Sequence, residues 1–425
     1  MKTARLYFSV FITGIIIFLS LTGCDVFNSS GNNQPDKPFE RRELPRSLTG
    51  QESQLVNGSG SFGFNMLKKL VEQNPDASHF ISPLSIVMAY GMTMNGADGD
   101  TYAQIQDVFG LESLSRDEIN LAARDLIGLL TTFDDKVTFT IANSIWYQDG
   151  YPFANSFLDV NRIHYDAVIE AADFGNPQTL ERINRWVKEK TGGLIESISD
   201  DLNPNTVMYL LNAIYFKGEW SVRFDPDKTT SKPFYLSDGS IKDVEMMRME
   251  MEEEMAYKSG ENYEAVNLYY GDAGFVMTLV LPDESMTLES WLAETGWDTW
   301  NSLTENFHEV TLTLGLPKFE LEYEVDGFEQ LLMDLGIVDG FDPSLANFEF
   351  MTGSPNDLFI GESKHKTFIS VNEEGTEAAA VTSVVMFDSA PQMVEITFNR
   401  PFFYVIREQE SGTILFMGTF TGEEI

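Results

Sequence analysis

From about Phe62 to Ile425 the chain runs without a Pro/Ser-rich linker, a fixed-period repeat or a low-complexity tract, which favours one compact domain over two. Within it the hydrophobic period changes repeatedly. Phe64 to Gln73 and Leu180 to Thr191 have helical spacing, with Leu180, Ile183, Trp186 and Val187 on one face. Val137 to Tyr147, Phe275 to Leu281 and Val310 to Leu316 are rich in β-branched and aromatic residues and are expected to be strands. From Val394 to Phe420, three apolar runs are cut by Asn399-Arg400-Pro401 and Glu410-Ser411-Gly412, the pattern of closing antiparallel strands. The expected class is α+β with large mixed sheets, and a hydrophobic fraction of 43% is enough to fill the core.

The N-terminus reads as an address. Lys2 and Arg5 form a positive head, the chain is almost wholly apolar from Tyr7 to Gly23, and the run ends in Leu21-Thr22-Gly23-Cys24. That ending resembles the lipobox of bacterial lipoproteins, in which the Cys becomes the acylated first residue of the mature chain. Cys24 is the only cysteine, which excludes a disulfide framework and leaves lipid attachment as its evident use. The expected organisation is a lipoprotein signal peptide at 1–23, a polar flexible tether at 24–55 and a folded body at 56–425. It would place the protein in the cell envelope, outside the cytoplasm and anchored to membrane by lipid.

With 28 Lys+Arg against 66 Asp+Glu, the formal charge of −38 argues against nucleic acid as a partner. Gly58-Ser59-Gly60-Ser61-Phe62-Gly63 matches G-x-G-x-x-G, but polar tether rather than a strand precedes it, so it is expected to be a flexible helix entry. The sequence has no G-x-S-x-G elbow and no H-E-x-x-H helix. His79, His164, His308 and His365 are too dispersed for a local metal motif, and the Met-rich acidic stretch Glu245 to Met255 is better suited to a strand pair with a solvated edge. No metal, cofactor or catalytic constellation is expected, and the chain is not expected to be an enzyme.

One segment stands apart. In Glu373-Glu374-Gly375-Thr376-Glu377-Ala378-Ala379-Ala380-Val381-Thr382, strand alternation puts Thr376, Ala378, Ala380, Thr382, Val384 and Met386 on one side and Glu377 on the other. All but Met386 are small or β-branched. Such a segment can slide between two strands without burying a charge, although its propensities would equally suit a surface helix.

Here the residues resemble the serpin family, from about Phe64 to the end. The hinge is joined by Ser82-Pro83-Leu84-Ser85, Ile183-Asn184-Arg185-Trp186-Val187 with Thr191 and Gly193, and Leu211 to Trp220. Phe398-Asn399-Arg400-Pro401-Phe402 and Leu415-Phe416-Met417-Gly418 complete the set. The resemblance implies a single domain of three β-sheets and eight or nine helices with an exposed reactive-centre loop. It implies a suicide-substrate inhibitor of serine proteases: the target attacks a bait bond, forms an acyl-enzyme, and is trapped when the loop inserts into the main sheet. The alternative is a serpin-fold protein that does not inhibit and serves as a carrier, a scaffold or a mere protease substrate.

Carried over residue by residue, Glu373, Gly375 and Thr376 open the hinge, and Glu377, Ala378, Ala379, Ala380 and Thr382 permit insertion. Ser82, Ser85, Asn212 and His365 fall where the family has a polar cluster beneath its main sheet, and Trp220 lies where insertion begins. Glu373 is expected to meet a cation that the sequence does not identify. Counting on from Gly375 as in inhibitory members gives Ser389-Ala390 as the reactive bond, with Met386-Phe387 as a second bait. Small residues at that bond suit an elastase-like or subtilisin-like protease, met by a monomeric inhibitor.

Overall fold

A computed structural model describes residues 42–355, 357–376 and 393–422, without the side chains of 251–254 and 376. The first helices are α1 (Gly50–Gln73), α2 (Pro83–Met94), α3 (Gly99–Val108) and α4 (Arg116–Thr131), with the short strand β1 (His79–Ile81) between α1 and α2. Next come β2 (Val137–Gln148), α5 (Asn155–Tyr165), β3 (Val168–Ala172), α6 (Pro177–Lys190) and β4 (Met208–Glu219). Four strands follow: β5 (Thr230–Tyr235), β6 (Ile241–Ser259), β7 (Tyr263–Tyr270) and β8 (Phe275–Pro282). Then α7 (Leu288–Glu294) and α8 (Trp297–Thr304) lead to β9 (His308–Pro317) and β10 (Phe319–Glu324). The chain closes through α9 (Phe328–Leu335), α10 (Glu349–Thr352), β11 (Lys366–Val371), β12 (Gly375–Thr376), β13 (Met393–Thr397), β14 (Phe402–Glu408) and β15 (Ile414–Phe420).

The strands form three hydrogen-bonded groups: a nine-stranded sheet β1-β15-β14-β8-β7-β6-β9-β13 with β5 on β6, a four-stranded sheet β12-β4-β2-β3, and the pair β10-β11. The expected α+β class and three sheets are present, while the described residues hold ten α-helices rather than eight or nine. The excess comes from short helices such as the four-residue α10, too brief to show a period in sequence.

Helix starts follow their caps. Thr49 and Glu52 make a capping box at α1, Ser115 and Glu118 another at α4, and Ser82 caps α2 ahead of Pro83. The four-stranded sheet packs on the large one through Phe139, Phe216, Tyr270 and Phe275, with Phe216 and Tyr270 edge to face at 4.9 Å. On its other face α6 buries Ile183, Trp186 and Val187 against Trp146 and Ala213, as its spacing predicts.

Four expectations need correction. The α1 helix begins at Gly50 and runs through 58–63, so the G-x-G-x-x-G match is mid-helix and not a flexible entry. Its glycines serve close approach: a Cβ on Gly58 would lie 2.0 Å from Phe109 O, and one on Gly63 2.5 Å from the Pro83 ring. That same start makes 50–55 helical, and Arg42 already bonds to Asp134, Asp135 and Asp272, so the last part of the stretch read as tether lies on the body. The Met-rich run belongs to one strand, β6, with a register break between Glu250 and Glu254, and Met246, Met247, Met249 and Met255 are buried. Finally, of the three C-terminal strands β14 and β15 are antiparallel neighbours, but β13 lies parallel to β9.

Candidate functional site

The site lies at the end of β4 and beneath the sheet it belongs to. After β11 the chain turns sharply between Asn372 and Gly375, whose backbones exchange hydrogen bonds at 3.1 and 3.3 Å while Glu374 N donates to Asn372 Oδ1 at 3.0 Å. The reversed chain then runs antiparallel to β4, with Gly375 opposite Glu219 and Thr376 opposite Gly218. Only glycine fits at the turn: φ is +139° at Gly375, and a Cβ there would lie 2.3 Å from Gly218 O.

Trp220 locks this turn from below. Its Nε1 donates to Asn372 O at 2.9 Å, its backbone N donates to Glu374 O at 3.0 Å, and its ring stacks on Tyr270 at 4.4 Å. Glu373 points the other way and finds its cation: Lys318, between β9 and β10, donates to Oε2 at 3.0 Å, and Thr229 donates to Oε1 at 2.8 Å. Burial opposes ionisation of this carboxyl, but backbone, Lys318 and Thr229 hydrogen bonds outweigh it and hold its pKa below the ordinary value. Phe224 N completes the latch by donating to Glu373 O at 3.0 Å.

The four expected polar residues converge at the N-terminus of α2. Ser82 Oγ donates to Leu415 O at 2.6 Å and accepts from Ser85 N, while Ser82 N donates to His365 Nε2 at 3.0 Å. Accepting at Nε2 requires a neutral ring, and burial pushes the His365 pKa down to about 3. Ser85 Oγ donates to Asn212 Oδ1 on β4, joining that strand to the helix below. Two members of the network were not anticipated: Asn212 Nδ2 donates to Asn143 Oδ1 on β2 at 2.6 Å, and Asn143 Nδ2 donates to Tyr165 O at the end of α5 at 2.7 Å. Tyr270, Thr229 and Lys318 at the hinge were also missed.

Among the described residues β4 and β11 share no ladder; β12 alone reaches β4 on that side. Lower down, a cavity beside β4 is lined by Leu210 and Asn212 of that strand, Ser85 and Tyr90 of α2, and Ser363 and His365 of the segment leading to β11. The arrangement is therefore a strand, β4, that no described strand but β12 joins on the side towards β11, a chain reversal that delivers a segment to it, and a polar floor. The other histidines do not form a metal site among the described residues: His79 bonds Tyr323 and Asn74 O. Among the described residues the one cluster of carboxylates with ligand-like spacing, Asp134, Asp135 and Asp272, is met by Arg42 and Lys136. Cys24, the hinge residues Glu377, Ala378, Ala379, Ala380 and Thr382, and both bait bonds, Ser389-Ala390 and Met386-Phe387, lie outside the described residues.

Comparison with known proteins agrees with this geometry. The family model for serpin (serine protease inhibitor) matches residues 57–422. Antithrombin-III of Mus musculus is 32% identical over 408 residues, covering 92% of this chain and 87% of that protein. The leukocyte elastase inhibitor of Xenopus tropicalis is 31% identical over 383 residues, covering 86% of this chain and 99% of that protein. Among solved structures, human thyroxine-binding globulin superposes with a TM-score of 0.80 at 26% identity, covering 88% of this chain and all of that one. These relatives include protease inhibitors and a carrier alike, and serpins are in general not catalytic enzymes. On the match over 57–422 and a fold shared across nearly nine-tenths of its length, the chain belongs to the serpin family.

Proposed function

We propose that the protein inhibits serine proteases as a suicide substrate, its loop beyond Thr376 inserting beside β4 after cleavage at Ser389-Ala390. The observation that carries this reading is the two-residue ladder of β12 on β4. It supplies the start, direction and register of an inserted strand. Continued in step, Ala378 would lie opposite Phe216, Ala380 opposite Ile214 and Thr382 opposite Asn212, so that small side chains would meet the buried face of β4 and its link to the polar floor. The glycine at the turn and the absence of bulky or charged residues at Ala378, Ala380 and Thr382 favour inhibition over a carrier or substrate role.

From Thr376 to Ser389 an inserted strand spans roughly 45 Å at ~3.3 Å per residue. On the order of ten ladder hydrogen bonds at ~1 kcal/mol each would match a typical domain's whole stability. The exposed-loop state is then held by a barrier, and its lifetime is a rate. Small residues at the bait bond, with no Lys or Arg between Glu377 and Glu395, favour an elastase-like or subtilisin-like target over a trypsin-like one. Acylation at Cys24 would present the inhibitor at a membrane surface of the cell envelope.

Incubation with elastase, subtilisin and chymotrypsin tests the reading. A covalent complex stable on denaturing gels, with a released fragment beginning at Ala390, is expected. Complete cleavage by all three without any complex would overturn inhibition and favour the substrate role.

A further inference from the structure

The chain ahead of α1 is strapped to the body at the hinge end of β4. Arg42 N donates to Asp272 O at 2.9 Å, and its guanidinium meets Asp272, Asp135 and the buried carboxylate of Asp134. Asp272 N donates to Asp134 Oδ2 at 3.1 Å, and the neighbouring Gly271 N donates to Glu219 O at 2.9 Å. Glu219 is the residue of β4 that lies opposite Gly375, so the Arg42 contact and the hinge turn share one end of that strand.

Two further contacts hold the strap. Leu44 is 8% exposed, and its N donates to Glu410 Oε2 at 2.7 Å on the turn between β14 and β15. That turn abuts the one between β7 and β8, where Gln409 N donates to Gly274 O at 3.0 Å. Arg46 then pairs with the buried Glu52 of α1. Exposed ion pairs alone would hold little, ~0–1 kcal/mol each. Here a buried leucine, a buried carboxylate and backbone hydrogen bonds add to them.

The consequence is geometric. Cys24 stands 18 residues before Arg42. An unstructured stretch of that length spans roughly 23 Å on average and at most ~60 Å. The 12 residues of β4 alone run about 36 Å at ~3.3 Å per residue, and a compact domain of this size is on the order of 50 Å across. At its average span the leash is too short for the body to turn its far end to the surface that anchors it.

We propose that the hinge end of β4 faces the membrane that holds the chain at Cys24, and that the start of β4, at Met208, points away from it. The inference rests on the membrane attachment proposed above, and it holds equally if the apolar run before Cys24 stays as the anchor. The reactive loop is then offered to serine proteases working close to that bilayer, and insertion would carry a trapped protease away from it.

Energy transfer from the body to the bilayer tests the orientation. The full chain, expressed with its leader in a bacterial host, is reconstituted into neutral phosphatidylcholine vesicles that carry a rhodamine lipid. A donor dye is clicked onto Asp227→p-azidophenylalanine or onto Asn205→p-azidophenylalanine. Asp227 is exposed next to the segment that latches Glu373, and Asn205 is exposed just before β4, so both variants should fold. Quenching at least twofold stronger at 227 than at 205 is expected. Inserting 60 Gly/Ser residues after Asn32 would lengthen the leash to roughly 49 Å and should at least halve that difference. Chains retained on the vesicles with equal quenching at both positions, or stronger quenching at 205, would overturn the orientation alone. A difference that survives the insertion would overturn the leash as its cause. A chain found free of the vesicles with Cys24 unmodified would overturn the membrane attachment and the orientation together. Protease inhibition is scored separately on gels and does not enter the quenching.

Discussion

Lys318 Nζ lies 3.0 Å from Glu373 Oε2, so the junction of β9 and β10 holds the first residue of the hinge from outside the strand that carries it. Glu373 is largely buried and Lys318 half exposed, with side-chain exposures of 12% and 47%. Removing the buried partner therefore matters more. Glu373→Ala is expected to cost roughly 1–2 kcal/mol, the scale of lost hydrogen bonds to a charged group, and Lys318→Ala less, because Thr229 still serves the carboxylate. If the chain inhibits as proposed, both should speed spontaneous loss of that activity at 37 °C, Glu373→Ala severalfold more. Equal decay rates for the two variants and the parent would show that the latch does not hold the hinge.

His365 and Glu373 set an acid limit on stability. The folded His365 pKa of about 3 lies below the unfolded value near ~6.5, so the unfolded chain binds the extra proton. The stabilisation it gives is complete above the unfolded pKa and declines as pH falls from there towards 3. Glu373, also lowered, contributes above its unfolded pKa and loses that contribution as pH falls through its folded value. Thermal melts between pH 7.5 and 4.5 should fall steadily, with His365→Gln flattening the upper part of that window. An unchanged slope in His365→Gln would assign the loss to other groups.

Gly375 and Thr376 separate turn geometry from insertion. Gly375→Ala puts a methyl group into Gly218 O in a backbone region that L residues avoid, so the turn must reorganise and the β12 ladder should be lost. Thr376→Arg keeps the turn but places a charge at the first inserting position, where desolvation opposes burial. In the proposed mechanism the arginine variant is cut at the same bond but inserts too slowly to trap. Its stoichiometry of inhibition should rise at least tenfold while cleavage continues. A ratio equal to that of the parent protein would contradict insertion through β12.

Legibility from sequence followed locality. Ser82 announces itself as a cap before Pro83, and the alternating tract after Gly375 has few rival uses, so the hinge and the N-terminus of α2 were visible. Asn143 was not, because one amide inside an apolar strand gains its role only from the register that sets it opposite Asn212. Lys318 is one of 28 cations, and nothing near it in the chain points to Glu373. The G-x-G-x-x-G match misled for a related reason: glycines that let α1 touch Phe109 and Pro83 look the same in sequence as glycines that free a loop.

In the proposed mechanism, cleavage of the loop gives the most direct reading of the energy stored before insertion. Before cleavage the edge of β4 towards β11 is paired, among the described residues, only at Gly218 and Glu219. In the proposed mechanism insertion would extend that ladder past Asn212 and place a new strand beside β4. Ten new hydrogen bonds at ~1 kcal/mol each, set against the entropy of ordering the tract, leave a net gain whose size the melt reports. A rise in Tm on the order of ten degrees or more is expected after limited subtilisin digestion, with the two fragments still associated. The rise should be absent when Thr376→Arg is digested in parallel, because its cut loop stays out. A parent protein that melts at the same temperature before and after cutting would refute stored strain, and the variant's melt would then carry no information about the hinge.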